Sequence, residues 1–173
     1  METFLKGHIR DVPDFPKPGI IFKDITPLLQ SHQAFSQIIE SFVERYSSMK
    51  IDAVVGIESR GFLFGAPLAH QLGAALVPVR KKGKLPYKTV DMSYDLEYGS
   101  ATIEMHTDAI KSGQKVVVVD DLLATGGTAG AACRLIEGQG GEVVECAFVV
   151  ELSFLNGRER ISGSPVYSLV SYR

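Results

Sequence analysis

Tryptophan is absent from this sequence of 173 residues, and cysteine occurs only twice, at Cys133 and Cys146. Both cysteines lie in apolar segments, and their spacing is not that of zinc or iron–sulfur ligands. Two cysteines are too few for the disulfide scaffold of a secreted protein. We therefore expect both to be reduced residues in the hydrophobic core of a cytoplasmic protein.

An excess of charge of one sign is also absent, because 18 Lys and Arg residues face 20 Asp and Glu residues, a formal net charge of -2. Such a chain has no general basic field for nucleic acid or an anionic membrane. No apolar run approaches the roughly 20 residues that a membrane-spanning helix needs. The N-terminal stretch METFLKGHIRDVPDF lacks the apolar core of an export signal. We expect no nucleic-acid or membrane partner, and a local cluster must hold any bound anion.

Segments with strand and helix patterns alternate along the chain. Apolar residues from Phe35 to Tyr46 recur at helical spacing, and two further helices are predicted at 61–72 and 128–139. Strands are predicted at 52–57, 75–79, 100–105, 115–119, 143–150 and 166–170. This order predicts one α/β domain, a mostly parallel central sheet flanked by helices. Residues 80–94 are predicted to form a long loop, and loops of that length are usually functional.

The segment from Val116 to Thr128 reads VVVVDDLLATGGT and combines several features of a ligand site. A buried strand leads into two carboxylates, and a small-residue loop follows before the next helix. The glycines allow backbone N–H groups to approach one point, and the helix adds its positive dipole end, so the loop suits a phosphate monoester. Two adjacent acids would repel phosphate alone, but they suit a sugar phosphate, whose hydroxyls need acceptors. The alternative is a strand end followed by an ordinary turn and helix cap.

This segment closely resembles the phosphoribosyl-diphosphate-binding motif of type I phosphoribosyltransferases. Five further segments resemble the adenine phosphoribosyltransferase family: FPKPGIIFKDITPLL (15–29), ESRGFLFG (58–65), VRKKGKLP (79–86), YDLEYG (94–99) and VELSFLNGRE (150–159). The resemblance implies a type I phosphoribosyltransferase fold over residues 1–173, with a base-binding arm at 1–30 and a mobile lid loop at 84–99. It implies a homodimer that makes AMP and pyrophosphate from adenine and 5-phosphoribosyl 1-diphosphate, in purine salvage.

The resemblance assigns the sugar phosphate to this segment. It assigns binding of the ribose hydroxyls to Asp120 and Asp121, and binding of the 5-phosphate to Ala124, Thr125, Gly126, Gly127 and Thr128. Pyrophosphate needs cations and donors, and the candidates at the ends of two predicted strands are Ser59, Arg60, Arg80, Lys81 and Lys84. The alternative for the basic run is a solvated surface. The sequence contains no dedicated magnesium cage, so we expect Mg²⁺ to arrive with the phosphoribosyl diphosphate.

Adenine recognition is assigned by resemblance to Ile21, Phe22 and Lys23. Phe22 offers a face on which a purine can stack; the alternative is an ordinary core aromatic. A backbone C=O and N–H complement the amine and ring nitrogen of adenine. Many family members carry arginine where Lys23 stands, which a backbone role tolerates. Glu97, beside the possible hinge Gly99, is the candidate general acid/base; alternatively it is a surface residue of a hairpin.

Two competing functions are consistent with the same sugar-phosphate loop. The first is a phosphoribosyltransferase for guanine, hypoxanthine, xanthine or orotate, against which the FPKPGIIFKDITP segment argues. The second is a non-catalytic regulator that senses phosphoribosyl diphosphate and controls nucleic acid. A net charge of -2 in 173 residues leaves neither the charge nor the room for a DNA-binding module.

Overall fold

The four valines at 116–119 belong to an inner strand of a seven-stranded sheet, paired on both sides, as a run without polar residues requires. The computed structural model describes residues 1–96, 99–161 and 163–173. These residues separate into two compact units, Met1–Ser41 and Phe42–Arg173. No described helix is both long enough and apolar enough to span a lipid bilayer.

The first unit contains a two-stranded antiparallel sheet and short helices. Its elements are α1 (Glu2–Lys6), β1 (Arg10–Pro13), β2 (Ile21–Asp24), α2 (Thr26–Gln30) and the first part of α3 (His32–Tyr46). Ile25 is the N-cap residue of α2. The Asp24 carboxylate accepts hydrogen bonds from the Thr26 backbone N–H at 2.9 Å and from its hydroxyl at 2.6 Å.

The second unit contains the central sheet, with strand order β5-β6-β4-β3-β7-β8-β9. Its strands are β3 (Ala53–Ile57), β4 (Ala75–Lys81), β5 (Thr89–Asp95), β6 (Ser100–His106), β7 (Lys115–Leu123), β8 (Glu142–Leu152) and β9 (Val166–Tyr172). Its helices are α4 (Gly61–Leu72), α5 (Gly127–Gly138) and two 3₁₀ turns, Ser153–Leu155 and Gly157–Arg160. Strands β4, β3, β7, β8 and β9 pair in parallel, whereas β5 and β6 form an antiparallel hairpin beside β4.

Side chains alternate between the two faces of the sheet and so meet a different helix on each face. Val55 belongs to the buried cluster that α5 covers, together with Ala132 and Ile136. Its neighbour Val54 points to the other face, where it lies close to Gly65 of α4. The predicted α/β architecture, a mostly parallel sheet flanked by helices, is therefore confirmed.

The prediction of a loop over residues 80–94 is wrong. Strand β4 continues to Lys81, and β5 occupies Thr89–Asp95. Asp91 and Ser93, two of the polar residues that suggested a loop, lie on the exposed face of β5, while Val90, Met92 and Tyr94 alternate with them and pack against the core. Only residues 82–88 remain as a connection, and motion of the expected lid, 84–99, stays a prediction.

Candidate active site

Strand β7 is longer than predicted and carries both aspartates before it ends at Leu123. Asp120 is half-buried and Asp121 is buried. Asp121 accepts a short charge-assisted hydrogen bond from the Nε of Arg60, the residue just before α4. Burial, followed by repulsion from Asp121, raises the pKa of Asp120 well above its usual range. The two carboxylates are therefore electrostatically distinct.

A polar cleft of about 390 Å³ opens where β3, β4 and β7 end. It is lined by Glu58, Ser59, Arg60, Lys81, Lys84, Asp120, Asp121 and Leu122. The Glu58–Ser59 peptide bond at its edge is cis. The structure thus brings together four of the five predicted pyrophosphate residues and both predicted ribose residues. This is the end of a parallel sheet at which α/β proteins bind ligands.

Glu58 organises the basic side of this cleft, although the sequence did not single it out. Its carboxylate accepts hydrogen bonds from the Lys84 Nζ at 2.7 Å, the Lys81 backbone N–H at 2.9 Å and Arg80 at 3.4 Å. Burial acts to raise the pKa of Glu58, but these hydrogen bonds outweigh it and lower the pKa to about 2. Glu58 therefore stays charged and holds the cations in one place. Its position directly after a buried strand was the available signal.

Arg80, the fifth predicted pyrophosphate residue, lies beside the cleft and is not among its lining residues. Its guanidinium contacts Glu58 and donates to the Lys84 carbonyl oxygen at 3.2 Å. A smaller cavity on this side, of about 110 Å³, is bordered by Arg80, Lys81, Tyr94, Asp120 and Thr128 among other residues. Arg80 thus supports the segment that carries Lys84.

Glu104 on β6 fixes the turn after β4, and sequence reasoning missed it as well. Its carboxylate accepts backbone N–H groups of Lys84 at 3.0 Å and Leu85 at 2.8 Å. The Leu85 N–H is the main reason why the pKa of Glu104 is lowered, and burial opposes that effect. An acid between Ile103 and Met105, which are both buried, was the sequence signal.

The predicted phosphate loop, Ala124–Thr128, connects β7 to α5. Gly126 is the N-cap residue of α5. Its φ of 78° lies in the left-handed region, which favours glycine. A Cβ at Gly126 would overlap the carbonyl oxygen of Gly157, because the 3₁₀ turn Gly157–Arg160 packs directly on the loop. The loop and Phe148 line a cavity of about 90 Å³. The Thr128 hydroxyl donates to the Tyr94 hydroxyl at 2.9 Å.

The remaining predicted site residues are Ile21, Phe22, Lys23 and Glu97. Ile21, Phe22 and Lys23 belong to β2 of the first unit, where the Phe22 ring meets Phe15 edge-on at 5.2 Å. The Lys23 Nζ pairs with Asp11 at 2.6 Å. Glu97 lies outside the described residues. Within the described chain, no group of three or more His, Cys, Asp or Glu residues could hold a metal ion.

Comparison with known proteins gives the family. The model of the phosphoribosyl transferase domain matches residues 25–166. Adenine phosphoribosyltransferase of Chloroflexus aurantiacus is 60% identical over 168 residues, which are 97% of each chain. The crystal structure of adenine phosphoribosyltransferase from Thermoanaerobacter pseudethanolicus has a TM-score of 0.95 at 49% identity, covering 99% of this chain and 100% of that one.

A further structural relative was solved with ligands. Adenine phosphoribosyltransferase of Saccharomyces cerevisiae, complexed with an imino-altritol bisphosphate and adenine, has a TM-score of 0.92 at 43% identity and covers 97% of both chains. The similarity therefore extends over nearly the whole length, the fold and the segments that form the cleft. The chain belongs to the adenine phosphoribosyltransferase family of type I phosphoribosyltransferases.

Proposed function

We propose that this chain transfers the 5-phosphoribosyl group from phosphoribosyl diphosphate to adenine, which yields AMP and pyrophosphate. The observation that carries the proposal is the cleft at the ends of β3, β4 and β7. Two adjacent carboxylates there face lysine and arginine side chains, next to a glycine loop that begins a helix. A sugar bearing phosphates at both ends needs this combination of acceptors and donors.

The sugar phosphate is proposed to bind along β7 and the loop after it. The backbone N–H groups and hydroxyls of Ala124, Thr125, Gly126, Gly127 and Thr128 would hold the 5-phosphate, helped by the dipole of α5. Asp120 and Asp121 would accept the ribose hydroxyls. Arg60 neutralises Asp121 in the structure, so the acidic pair carries less charge toward the ligand than its sequence suggests.

Pyrophosphate is proposed to bind on the opposite side of the cleft. Lys81, Lys84, Arg60 and the backbone of Ser59 would provide the charge and donors, and Arg80 would support them from behind. Lys84 pairs with Glu58 at 2.7 Å, and its side chain is 49% exposed, so the ammonium group has donors left for a ligand. This arrangement holds the cations in place before the anion arrives, which reduces the cost of ordering them.

Magnesium is proposed to enter as a complex with phosphoribosyl diphosphate. Glu58 is occupied by Lys84, Lys81 and Arg80, and Asp121 by Arg60, so no side chain of the cleft is proposed as a direct ligand of the ion. Magnesium keeps several of its waters and is commonly bound by substrate phosphates. The ion would neutralise negative charge on the pyrophosphate group.

The base is proposed to be recognised by Ile21, Phe22 and Lys23, with Phe22 stacking on the purine and backbone atoms reading the amine and ring nitrogen. Adenine must lose or relocate a ring proton as the bond to ribose forms. Glu97 is proposed to exchange that proton once the segment 84–99 closes and excludes water, which would otherwise hydrolyse the activated ribose.

The enzyme is further proposed to act as a cytoplasmic homodimer. Exposed leucines on neighbouring elements support a self-association surface, because Leu63 on α4 and Leu76 on β4 are each 44% exposed. Analytical ultracentrifugation would test this, and a monomer at micromolar concentration would contradict it.

The decisive experiment is incubation with radiolabelled adenine, hypoxanthine or guanine, together with magnesium and phosphoribosyl diphosphate. We expect AMP from adenine and little product from the two 6-oxo purines, because a 6-oxo group presents an acceptor where adenine presents a donor. Comparable turnover of hypoxanthine would contradict adenine specificity, and release of pyrophosphate without any nucleotide would contradict transfer.

A further inference from the structure

The two lysines proposed to bind pyrophosphate belong to one tight turn after β4. The Lys84 backbone N–H donates to the Lys81 carbonyl oxygen at 3.3 Å, which closes a turn over residues 81–84. Gly83, the third residue of that turn, has a φ of 87°, a value typical of a type II turn. Lys81 and Lys84 are thus its first and last residues, and both line the cleft. The position of the turn therefore decides where both ammonium groups can reach.

Two carboxylates hold this turn from different sides. Glu58 accepts hydrogen bonds from the Lys81 backbone N–H at 2.9 Å and from the Lys84 Nζ at 2.7 Å. Glu104 accepts from backbone N–H groups, that of Lys84 at 3.0 Å and that of Leu85 at 2.8 Å, and both reach the same atom, Oε1. Glu58 therefore contacts an ammonium group directly, whereas Glu104 acts on the course of the backbone.

Burial makes the contribution of Glu104 hard to replace. Its side chain is only 4% exposed, so water has little access to the N–H groups that it accepts. A buried N–H group without an acceptor costs about as much free energy as a lost hydrogen bond, so the turn would have to move if the oxygen were withdrawn.

We propose that Glu104 is a positioning residue for pyrophosphate, because its Oε1 atom fixes the turn that presents Lys81 and Lys84 to the anion. The inference rests on the proposed function, which assigns both lysines to pyrophosphate. Glu104 itself would touch no substrate, since it does not line the cleft.

Charge and position predict opposite effects of changing Glu104. The Leu85 N–H is the first cause that lowers the pKa of Glu104, so its carboxyl is charged at neutral pH. A negative charge repels an anion, so a role through charge alone means that removing the charge tightens pyrophosphate binding. A role through position means that withdrawing the oxygen weakens binding, whatever the charge.

Two conservative substitutions separate these effects. Glu104→Gln removes the charge but keeps an oxygen at the same reach, and its amide can donate to the Thr89 hydroxyl, which lies 3.4 Å from Oε2. Glu104→Asp keeps the charge but shortens the side chain by one methylene. The control is Asp52→Ala, because the Asp52 carboxylate also accepts a backbone N–H, that of Lys115 at 2.8 Å, just before β3 begins and so away from the cleft.

The test is calorimetric titration of each variant with pyrophosphate plus magnesium and, separately, with AMP. Glu104→Asp should bind pyrophosphate about two- to tenfold more weakly, the usual effect of a lost hydrogen bond, and should bind AMP nearly unchanged. Glu104→Gln should bind pyrophosphate as tightly as the unmodified protein or more tightly. Asp52→Ala should resemble the unmodified protein with both ligands. A merely structural role would weaken both ligands together, and AMP binding also shows that each variant is folded.

The outcomes separate positioning from the proposed function. Unchanged pyrophosphate affinity in Glu104→Asp, or an equal loss in Glu104→Gln, would overturn the positioning role. In a Lys84→Ala background, Glu104→Asp should have a smaller effect than alone, and an undiminished effect would also overturn it. An unmodified protein that binds neither pyrophosphate nor AMP would refute the proposed function and this inference together, whereas the other failures leave the proposed function intact.

Discussion

At the scale of single residues, Asp120 and Asp121 are adjacent in the sequence but differ in their surroundings. Asp121 is buried and paired with Arg60, whereas Asp120 faces the repulsion of its neighbour, and its pKa is raised by burial and by that charge. Loss of the charge on Asp121 should therefore remove its ion pair with Arg60, and loss of the charge on Asp120 should relieve the repulsion between the two carboxylates.

Substitution of each aspartate by asparagine tests this difference. Both variants should raise the KM for phosphoribosyl diphosphate about tenfold or more, because a charge-assisted hydrogen bond contributes about 1.5–3 kcal/mol. The melting temperature should fall for Asp121→Asn and stay equal or rise for Asp120→Asn. Unchanged KM values in both would exclude the ribose role, and equal losses of melting temperature would contradict the electrostatic distinction.

Glu58 gives a prediction of pH dependence. Its pKa falls from 4.5 to about 2 on folding, so its stabilising effect is complete above about pH 4.5 and is lost as the pH falls toward 2. The variant Glu58→Gln should therefore melt at a lower temperature than the unmodified protein near neutral pH. That difference should shrink between about pH 4.5 and pH 2.

The check is a series of thermal melts across that pH range. Glu44→Gln is the control, because it also removes one negative charge, from an exposed position on α3. A melting difference for Glu58→Gln that does not change with pH would mean that shape, not charge, explains the role of Glu58.

Sequence reasoning found most of the residues that line the cleft, but it missed Glu58, which also lines it, and Glu104, which holds the segment that carries Lys84. Asp120, Asp121, Lys81 and Lys84 follow closely on apolar runs, and the close of an apolar run is visible in the sequence. Glu58 and Glu104 act through backbone N–H groups of residues more than fifteen positions away. These hydrogen bonds form only once the distant strands of the sheet have come together, and no local sequence pattern encodes that pairing.

At the scale of elements, the phosphate loop depends on a second turn that packs against it. The 3₁₀ turn Gly157–Arg160 approaches the loop so closely that a Cβ on Gly157 would overlap the carbonyl oxygen of Ala124. That Cβ would also lie 3.0 Å from the Leu123 side chain. The contact at Ala124 is with its backbone, and Leu123 is the last residue of β7, so neither group has much freedom to move aside.

Gly157→Ala should therefore displace the phosphate loop. We expect a higher KM for phosphoribosyl diphosphate, by about tenfold, and a lower melting temperature, since overpacking costs about 1–3 kcal/mol. The matched control is Gly138→Ala in α5, where a Cβ meets nothing within 4 Å and should be neutral or slightly stabilising. Wild-type kinetics in Gly157→Ala would show that the loop is not positioned by this turn.

The elements themselves were predicted with differing success. Helix α4 was predicted with its observed bounds, and α5 was predicted one residue late. The run of valines identified β7, but two aspartates hid its continuation to Leu123. The hairpin strand β5 was missed because charged and polar residues occupy every second position, and at a sheet edge those positions face water.

At the scale of the whole molecule, the two compact units have different proposed tasks. Residues 42–173 contain every residue proposed for the phosphates and ribose, whereas residues 1–41 contain Ile21, Phe22 and Lys23, proposed for the base. Nothing in the sequence marks Ser41 as a boundary, because α3 continues through it from His32 to Tyr46. The division is a property of how the chain packs and could not be predicted from local patterns.

This division of labour predicts a separation of kinetic effects. Phe22→Ala removes a ring proposed to stack on the purine, and stacking on an aromatic side chain is worth about 1–3 kcal/mol per base. The KM for adenine should therefore rise about five- to 100-fold, while the KM for phosphoribosyl diphosphate changes little. Asp120→Asn should give the opposite pattern. Phe154→Ala is the control, since it removes a ring that is 60% exposed in the second unit. Equal changes in both KM values for Phe22→Ala would instead assign Phe22 to the packing of its own unit, where it already contacts Phe15.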